Sequence, residues 1–140
     1  MVGTPIGPGP WHEVTQQQVD QFAAATGDHQ WIHVDVARAA EGPYGGTIAH
    51  GYLTLSMLPM MSWELWTFVG AAMGVNYGSD KVRFLTPVKV GSRIRLGLTP
   101  LSVDTRPDGS LLVKSEATVE IEGAAKPAMV AHTLSLVVPA

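Results

Sequence analysis

The segment GDHQWIH, residues 27–33, sets an aspartate, two histidines and a tryptophan within one short run. Two side chains that ionise over different pH ranges and flank one water can add that water across a double bond. One takes its proton and the other supplies or returns one. Asp28 and His33 are candidates for that pair. The same residues also fit a plainer role, because an aspartate after a helix-ending glycine commonly caps a turn and a lone histidine is commonly a satisfied polar group. A metal reading takes His29 and His33, spaced as on a zinc-binding helix, with Asp35 nearby. Gly27 and the expected loop oppose the helix that this spacing needs, so no metal is expected.

A second constellation is GGTIAHGYLTLS, residues 45–56, where His50-Gly51 stands at the expected start of an apolar helix. Amides at a helix start are unpaired and partly positive, so the Gly51 N–H could hold a carbonyl oxygen that gains charge during a reaction. Glycine lets a ligand approach the backbone closely. Alternatively, Gly51 only permits tight packing of the helix start, and His50 caps or packs locally.

The elements that must position these residues can be read from periodicity. TQQQVDQFAAAT, residues 15–26, opens with Thr15 and has Gln18 at capping-box spacing, with Val19, Phe22, Ala23 and Thr26 on one face. Gly27 is the expected stop, which puts the motif on an exit loop. Asp35 can cap a short helix over residues 36–40, ended by Gly42 and Pro43. From about Ile48 to Val69 the residues are apolar nearly all round, predicting an enclosed central helix kinked or broken at Pro59. The second half changes period. Val82 and Phe84, then Ile94 to Leu98, Leu112 to Ile121 and Met129 to Val138 predict strands, with Asp108-Gly109 as the clearest turn. A helical first half and an antiparallel second half predict one α+β domain, a sheet wrapped around a long apolar central helix.

Composition narrows the function classes. The 140 residues carry a net charge of −3 and no run of basic residues, which argues against a phosphate-binding nucleic-acid face. Cysteine is absent, which excludes disulfides, thiolate nucleophiles and Cys-based zinc sites and fits a cytoplasmic protein. Residues 1–10 read as a Pro/Gly-rich lead-in rather than a targeting segment, with the domain over 11–140. The longest apolar stretch is broken by Ser56, Pro59, Ser62 and Glu64, so no membrane span is expected. Only 15% of residues are charged against 46% hydrophobic, which predicts surface buried against a partner and hence a homo-oligomer.

ATGDHQWIHVDVARAA followed by TIAHGYLTLS resembles the signature of the MaoC-like hydratases, the type 2 or (R)-specific enoyl-CoA hydratases of the hotdog fold. Phe22, Gly27, Asp28, Ile32, His33, Ala39, His50 and Gly51 occupy the positions of that pattern, and VNYGSDKVRFLTPVKVGSRIR resembles the family's following strand and proline-bounded turn. The chain departs from it at Gln30 and Trp31, which stand where the family usually has Asn-Pro, and at Pro59, where counting places a serine. The resemblance implies a hotdog fold and reversible hydration of a trans-2-enoyl-CoA to an (R)-3-hydroxyacyl-CoA. Asp28 and His33 would be the catalytic pair and the Gly51 amide the oxyanion donor. It implies no metal or organic cofactor, an acyl-CoA or acyl-carrier-protein thioester as partner, and a homodimer formed by joining sheets.

Beyond these three, candidates for substrate contact are Gln30, Tyr44, His50, Tyr52 and Asn76, with Lys81 and Arg83 for the anionic part of CoA. Leu55, Met57, Trp63 and Tyr77 are further guesses for pocket or sheet packing. Two other functions fit the same fold: a hotdog thioesterase, whose carboxylate would direct water at the carbonyl, and a non-catalytic acyl-binding subunit. A pure binder has no need of an acid/base pair.

Overall fold

The computed structural model describes all 140 residues. The first strand, β1, is the short pair His12–Glu13, and α1 covers Gln16–Thr26. Thr15 Oγ1 accepts the Gln18 N–H at 3.2 Å, and Gly27, at φ 85°, donates its N–H to Ala23 O at 2.8 Å. Both helix ends are therefore capped as the residue types predict. Val19 and Ala23 are buried and Phe22 packs on the same core, whereas Thr26 is exposed and turns its hydroxyl back to Phe22 O. The Gln18 side chain reaches Met57 Sδ at 3.8 Å instead of returning to close a capping box.

The expected exit loop is shorter than its residues suggest. Trp31–Val34 form one helical turn, α2, closed by the Asp35 N–H on Trp31 O at 3.0 Å. Trp31 has a packing site that favours this turn. The Arg38 guanidinium lies 4.2 Å from its ring centre, and the ring sits so close to Gly42 that a Cβ there would meet it at 3.1 Å. Tertiary packing of this kind overrides local preference. Helix α3, Val36–Ala40, is capped as expected, Asp35 Oδ1 accepting the Arg38 N–H at 3.1 Å.

The central apolar stretch is not one long enclosed helix. It is divided into α4, Gly51–Ser56, and α5, Leu58–Trp63, with the division at Met57 and Pro59 in the first turn of α5, where a missing N–H costs least. Leu53, Met57, Leu58 and Met61 are buried, but Tyr52 and Trp63 are 69% and 73% exposed and the helix ends six residues before Val69. Two short helices bury a stripe and leave the opposite side open. No helix is long and apolar enough to cross a membrane.

Four long strands follow: β2, Ala71–Phe84; β3, Arg93–Thr105; β4, Leu111–Ile121; and β5, Met129–Pro139. They form one antiparallel sheet in the order β1-β3-β4-β5-β2. The β3–β4 turn is set by Asp108, whose Oδ1 accepts the Ser110 N–H at 2.9 Å, and by Gly109 at φ 86°. Strand β4 alternates buried and half-buried residues, as a one-sided strand should. The inner face carries Ile94, Leu96, Val119 and Met129, packed in one cluster with Met61 of α5 and Val19 of α1. Each such side chain contributes about 1.5–3 kcal/mol on burial. The arrangement is the α+β hotdog expected, a curled antiparallel sheet around a central helical segment, with that segment in two pieces.

Because β2 and β3 lie far apart in the sheet, the chain must cross between them, over residues 85–92. That crossing segment is tied to the strand-like stretch before α4: the Ala49 N–H donates to Val88 O at 2.8 Å and the Val90 N–H to Thr47 O at 3.0 Å. On its other side Ile48 donates its N–H to Ile32 O at 3.0 Å. Residues 47–49 are thereby held between α2 and the crossing, directly ahead of His50 and Gly51.

The two edges of the sheet differ. Along β3, Gly3, Ile6, Gly9 and β1 hydrogen-bond in succession to Pro100, Leu98, Leu96 and Ile94. The far edge strand, β2, is exposed at every residue but Ala71 and Val82, with Met73, Val75 and Tyr77 among its exposed apolar side chains.

Candidate active site

The αL turn at Gly27 releases the chain from α1, and Asp28 follows it on the surface. Asp28 Oδ1 accepts the Gln30 N–H at 3.3 Å, a local turn bond. The Asp28 backbone carbonyl is held from a distance, accepting His50 Nε2–H at 2.9 Å. The residue is thus fixed through its main chain, and its carboxylate keeps free lone pairs.

Helix α2 turns His33 inward, leaving it 6% exposed. Its Nδ1 lies 2.7 Å from Ile48 O. A carbonyl can only accept, so Nδ1 carries the proton and the neutral ring presents a bare Nε2. Gln16 braces the same point: its Nε2 donates to His33 O at 2.8 Å, while its Oε1 accepts the Thr47 hydroxyl at 2.6 Å. Burial pushes the His33 pKa below the ordinary histidine value, and the positive field of His50 adds to that; the Ile48 carbonyl and Asp28 oppose it.

His50 completes the cluster. Its ring stacks on that of His33 at 3.8 Å between centres and 23° between planes, and Phe22 packs on it at 4.9 Å. Its Nδ1 is sealed from solvent and meets no partner. The functional atoms of Asp28, His33 and His50 all lie within 4.8 Å of one another. Such a donor set invites a metal, but lone pairs lie in the ring planes, and nearly parallel stacked rings cannot aim theirs at a common point. The stack instead orients His33. His29, the other member of the metal reading, is exposed on the loop and does not join the group.

Gly51 opens α4, and its N–H makes no hydrogen bond to the protein. The Phe84 ring lies over it so closely that a Cβ would meet three ring carbons at 3.1 Å. A cleft of about 370 Å³ opens beside it, lined among others by His33, Gly51, Thr54, Phe84, Pro87 and Ala128. A free amide, a bare imidazole nitrogen and apolar walls therefore share one cavity.

The other candidates lie elsewhere. Gln30 stands at the N-terminal end of α2 with no side-chain hydrogen bond there, and Tyr44 is exposed on the loop after α3. Tyr52 stands outside the cleft with its ring edge-on to Phe84 at 6.1 Å. Leu55 and Met57 pack with the core, and Trp63 is exposed. Asn76, Lys81 and Arg83 are exposed on β2, where Arg83 donates to its neighbour's carbonyl, Val82 O, and Tyr77 lies 5.2 Å from the Arg106 guanidinium. Gln16, Thr54 and Phe84 were not singled out by sequence. Thr54 alone carried a signal, three residues after Gly51 and so on the same helix face.

Residues 1–120 match the model of the MaoC like domain. The chain is 48% identical over 132 residues to 3-hydroxyacyl-thioester dehydratase Z of Mycobacterium tuberculosis (strain ATCC 25618 / H37Rv), covering 94% of this chain and 87% of that protein. It is 44% identical over 138 residues to nodulation protein N of Rhizobium leguminosarum bv. viciae, covering 97% and 86%. Among solved structures, the (R)-hydratase from A. caviae involved in PHA biosynthesis superposes with a TM-score of 0.78 at 18% identity, covering 96% of this chain and 95% of that one, a likeness of fold. A family match over most of the chain, a curled sheet of the same shape and two relatives above 40% identity agree: the chain belongs to the MaoC-like dehydratase and hydratase family.

Proposed function

We propose that the protein catalyses the reversible addition of water to a trans-2-enoyl thioester, giving an (R)-3-hydroxyacyl thioester. The observation that carries this reading is the fixed tautomer of His33. With Nδ1 committed to Ile48 O, Nε2 is left as the proton acceptor of a ring that lies beside Asp28 and lines the same cavity as Gly51, whose N–H is free. The name of the mycobacterial relative, a 3-hydroxyacyl-thioester dehydratase, describes the reverse reaction and supports the same chemistry.

In the hydration direction Asp28 and His33 hold one water. As its oxygen bonds to the β carbon, His33 Nε2 takes the released proton and the electron pair of the double bond moves onto the thioester oxygen, where the Gly51 N–H meets it. The imidazolium then returns the proton to the α carbon and the carbonyl re-forms. The atoms balance as substrate plus water, so the step calls for no oxidant, reductant or organic cofactor, and we propose none.

The acyl group would be carried by CoA or by an acyl-carrier protein. The open edge and exposed apolar side chains of β2 support pairing with a second copy as a homodimer. The cysteine-free chain is compatible with action in the cytoplasm. Incubation with crotonyl-CoA tests the reaction: the enoyl absorbance should fall without release of free thiol, whereas free thiol would identify a thioesterase, and no change would identify a binding subunit.

A further inference from the structure

Hydroxyl side chains inside helices ordinarily bond back to the carbonyl one turn earlier. Ser56 does so on Tyr52 O at 2.7 Å, and Thr26 does so on Phe22 O at 2.8 Å. Thr54, in the same helix as Ser56, does not. The carbonyl available to it, His50 O, is taken by the Leu53 and Thr54 N–H groups, and the Thr54 hydroxyl makes no hydrogen bond in the protein. The residue is only 3% exposed. Yet its oxygen is not among the sealed, unpartnered polar atoms, which are Gln18 Oε1 and His50 Nδ1. It borders the cleft, whose wall it shares with His33 and Gly51.

A buried hydroxyl left without a partner is destabilising, so its retention at a cavity wall points to a ligand that pairs with it. Position and direction say which atom. Thr54 lies three residues after Gly51 on one helix face, and helical Cα–Cβ bonds tilt toward the N-terminus, bringing the hydroxyl back over the turn that begins at Gly51. We infer that the Thr54 hydroxyl donates a second hydrogen bond to the thioester carbonyl oxygen, beside the Gly51 N–H. This rests on the hydratase reading for its substrate, and it makes Thr54 a catalytic residue.

The test compares Thr54→Val, which keeps the branched shape and removes the hydroxyl, with Thr54→Ser, which keeps the hydroxyl. Loss of one such donor lowers the rate by about 10²-fold, so Thr54→Val should lose that much kcat/KM on crotonyl-CoA and Thr54→Ser should recover most of it. Inhibition by S-butyl-CoA, a thioether with no carbonyl, should be unchanged in the Val variant because the cleft still packs. A Val variant with near-parental rate, or one whose affinity for S-butyl-CoA falls as far as its rate, would overturn the inference. Asp28→Asn is run in parallel: if it retains full activity the acid/base assignment fails while the Thr54 result stands. If the parental protein hydrates nothing, its preference for butyryl-CoA over S-butyl-CoA decides. A preference abolished by Thr54→Val supports the carbonyl contact, and no preference overturns it.

Discussion

Two of the protein's histidine–carboxylate pairings differ in how they are held, one on the outer face of its sheet and one at the candidate site. On the outer face His132 of β5 stands opposite Glu116 of β4, with Nε2 3.0 Å from a carboxylate oxygen. At the candidate site, Asp28 and His33 come within 4.8 Å of each other without bonding to each other. Instead, each is tied to a backbone group of a distant segment, Asp28 through its carbonyl to His50 and His33 through Nδ1 to Ile48. The outer pair uses up its own functional atoms, and strand geometry alone brings it together. In the Asp28–His33 pair the long-range anchors take the Asp28 carbonyl and His33 Nδ1, which leaves the carboxylate and Nε2 free of them. Proximity of the two residue types therefore says little; which atoms their anchors occupy says more.

The contrast can be broken most directly at the inner pair. Asp28→Asn and His33→Ala should each lower turnover on crotonyl-CoA by ~10²–10⁴-fold, about 3–5 kcal/mol of barrier. Near-parental rates in both would move the chemistry elsewhere. Next, Gly51→Ala should cost about tenfold in kcat/KM and ~1–3 kcal/mol in stability, because the new methyl meets the Phe84 ring at 3.1 Å. Adding Phe84→Leu should restore much of both, measured as a coupling in a double-mutant cycle. An additive cycle would show that the ring is not the obstacle.

The pH response separates the pairs more gently. His33 is held below the ordinary histidine pKa of 6.5, so the acid limb of kcat/KM should fall below that value. The unfolded chain takes up the proton that the folded one resists. Stability should therefore decline as pH falls through about 6.5 and level off below the lowered folded pKa. Chemical denaturation at a series of pH values should show this slope, and His33→Gln should flatten it. The smallest effect belongs to the outer face, where His132→Gln should change turnover less than about twofold and stability by no more than ~0.5 kcal/mol.

What was legible in the sequence was what neighbours in the chain decide. Thr15, Gly27, Asp35 and Asp108-Gly109 fixed caps and turns locally, and the alternation of β4 survives because one face is buried. Strand β2 shows its period poorly because it is exposed on both faces and bulged at three places. The apolar run after Ile48 suggested enclosure because composition cannot tell a buried stripe from a surface awaiting cover, as Tyr52 and Trp63 show. Within the site, Asp28, His33 and Gly51 stood out by residue type. The stack of His50 on His33 and the brace from Gln16 depend on segments 17 or more residues apart meeting in space, which no local spacing encodes.

The lead-in of prolines and glycines along β3 has a consequence for assembly. It occupies one border of the sheet from Leu96 to Pro100, and β1 continues it at Ile94, so only β2 offers a long run of unsatisfied backbone. A sheet with two such borders can extend without limit, as fibrils do. With one, a single strand-to-strand union would exhaust it. Stripping residues 1–10 would be expected to open a second border and turn a terminating contact into a propagating one, visible as turbidity or thioflavin binding.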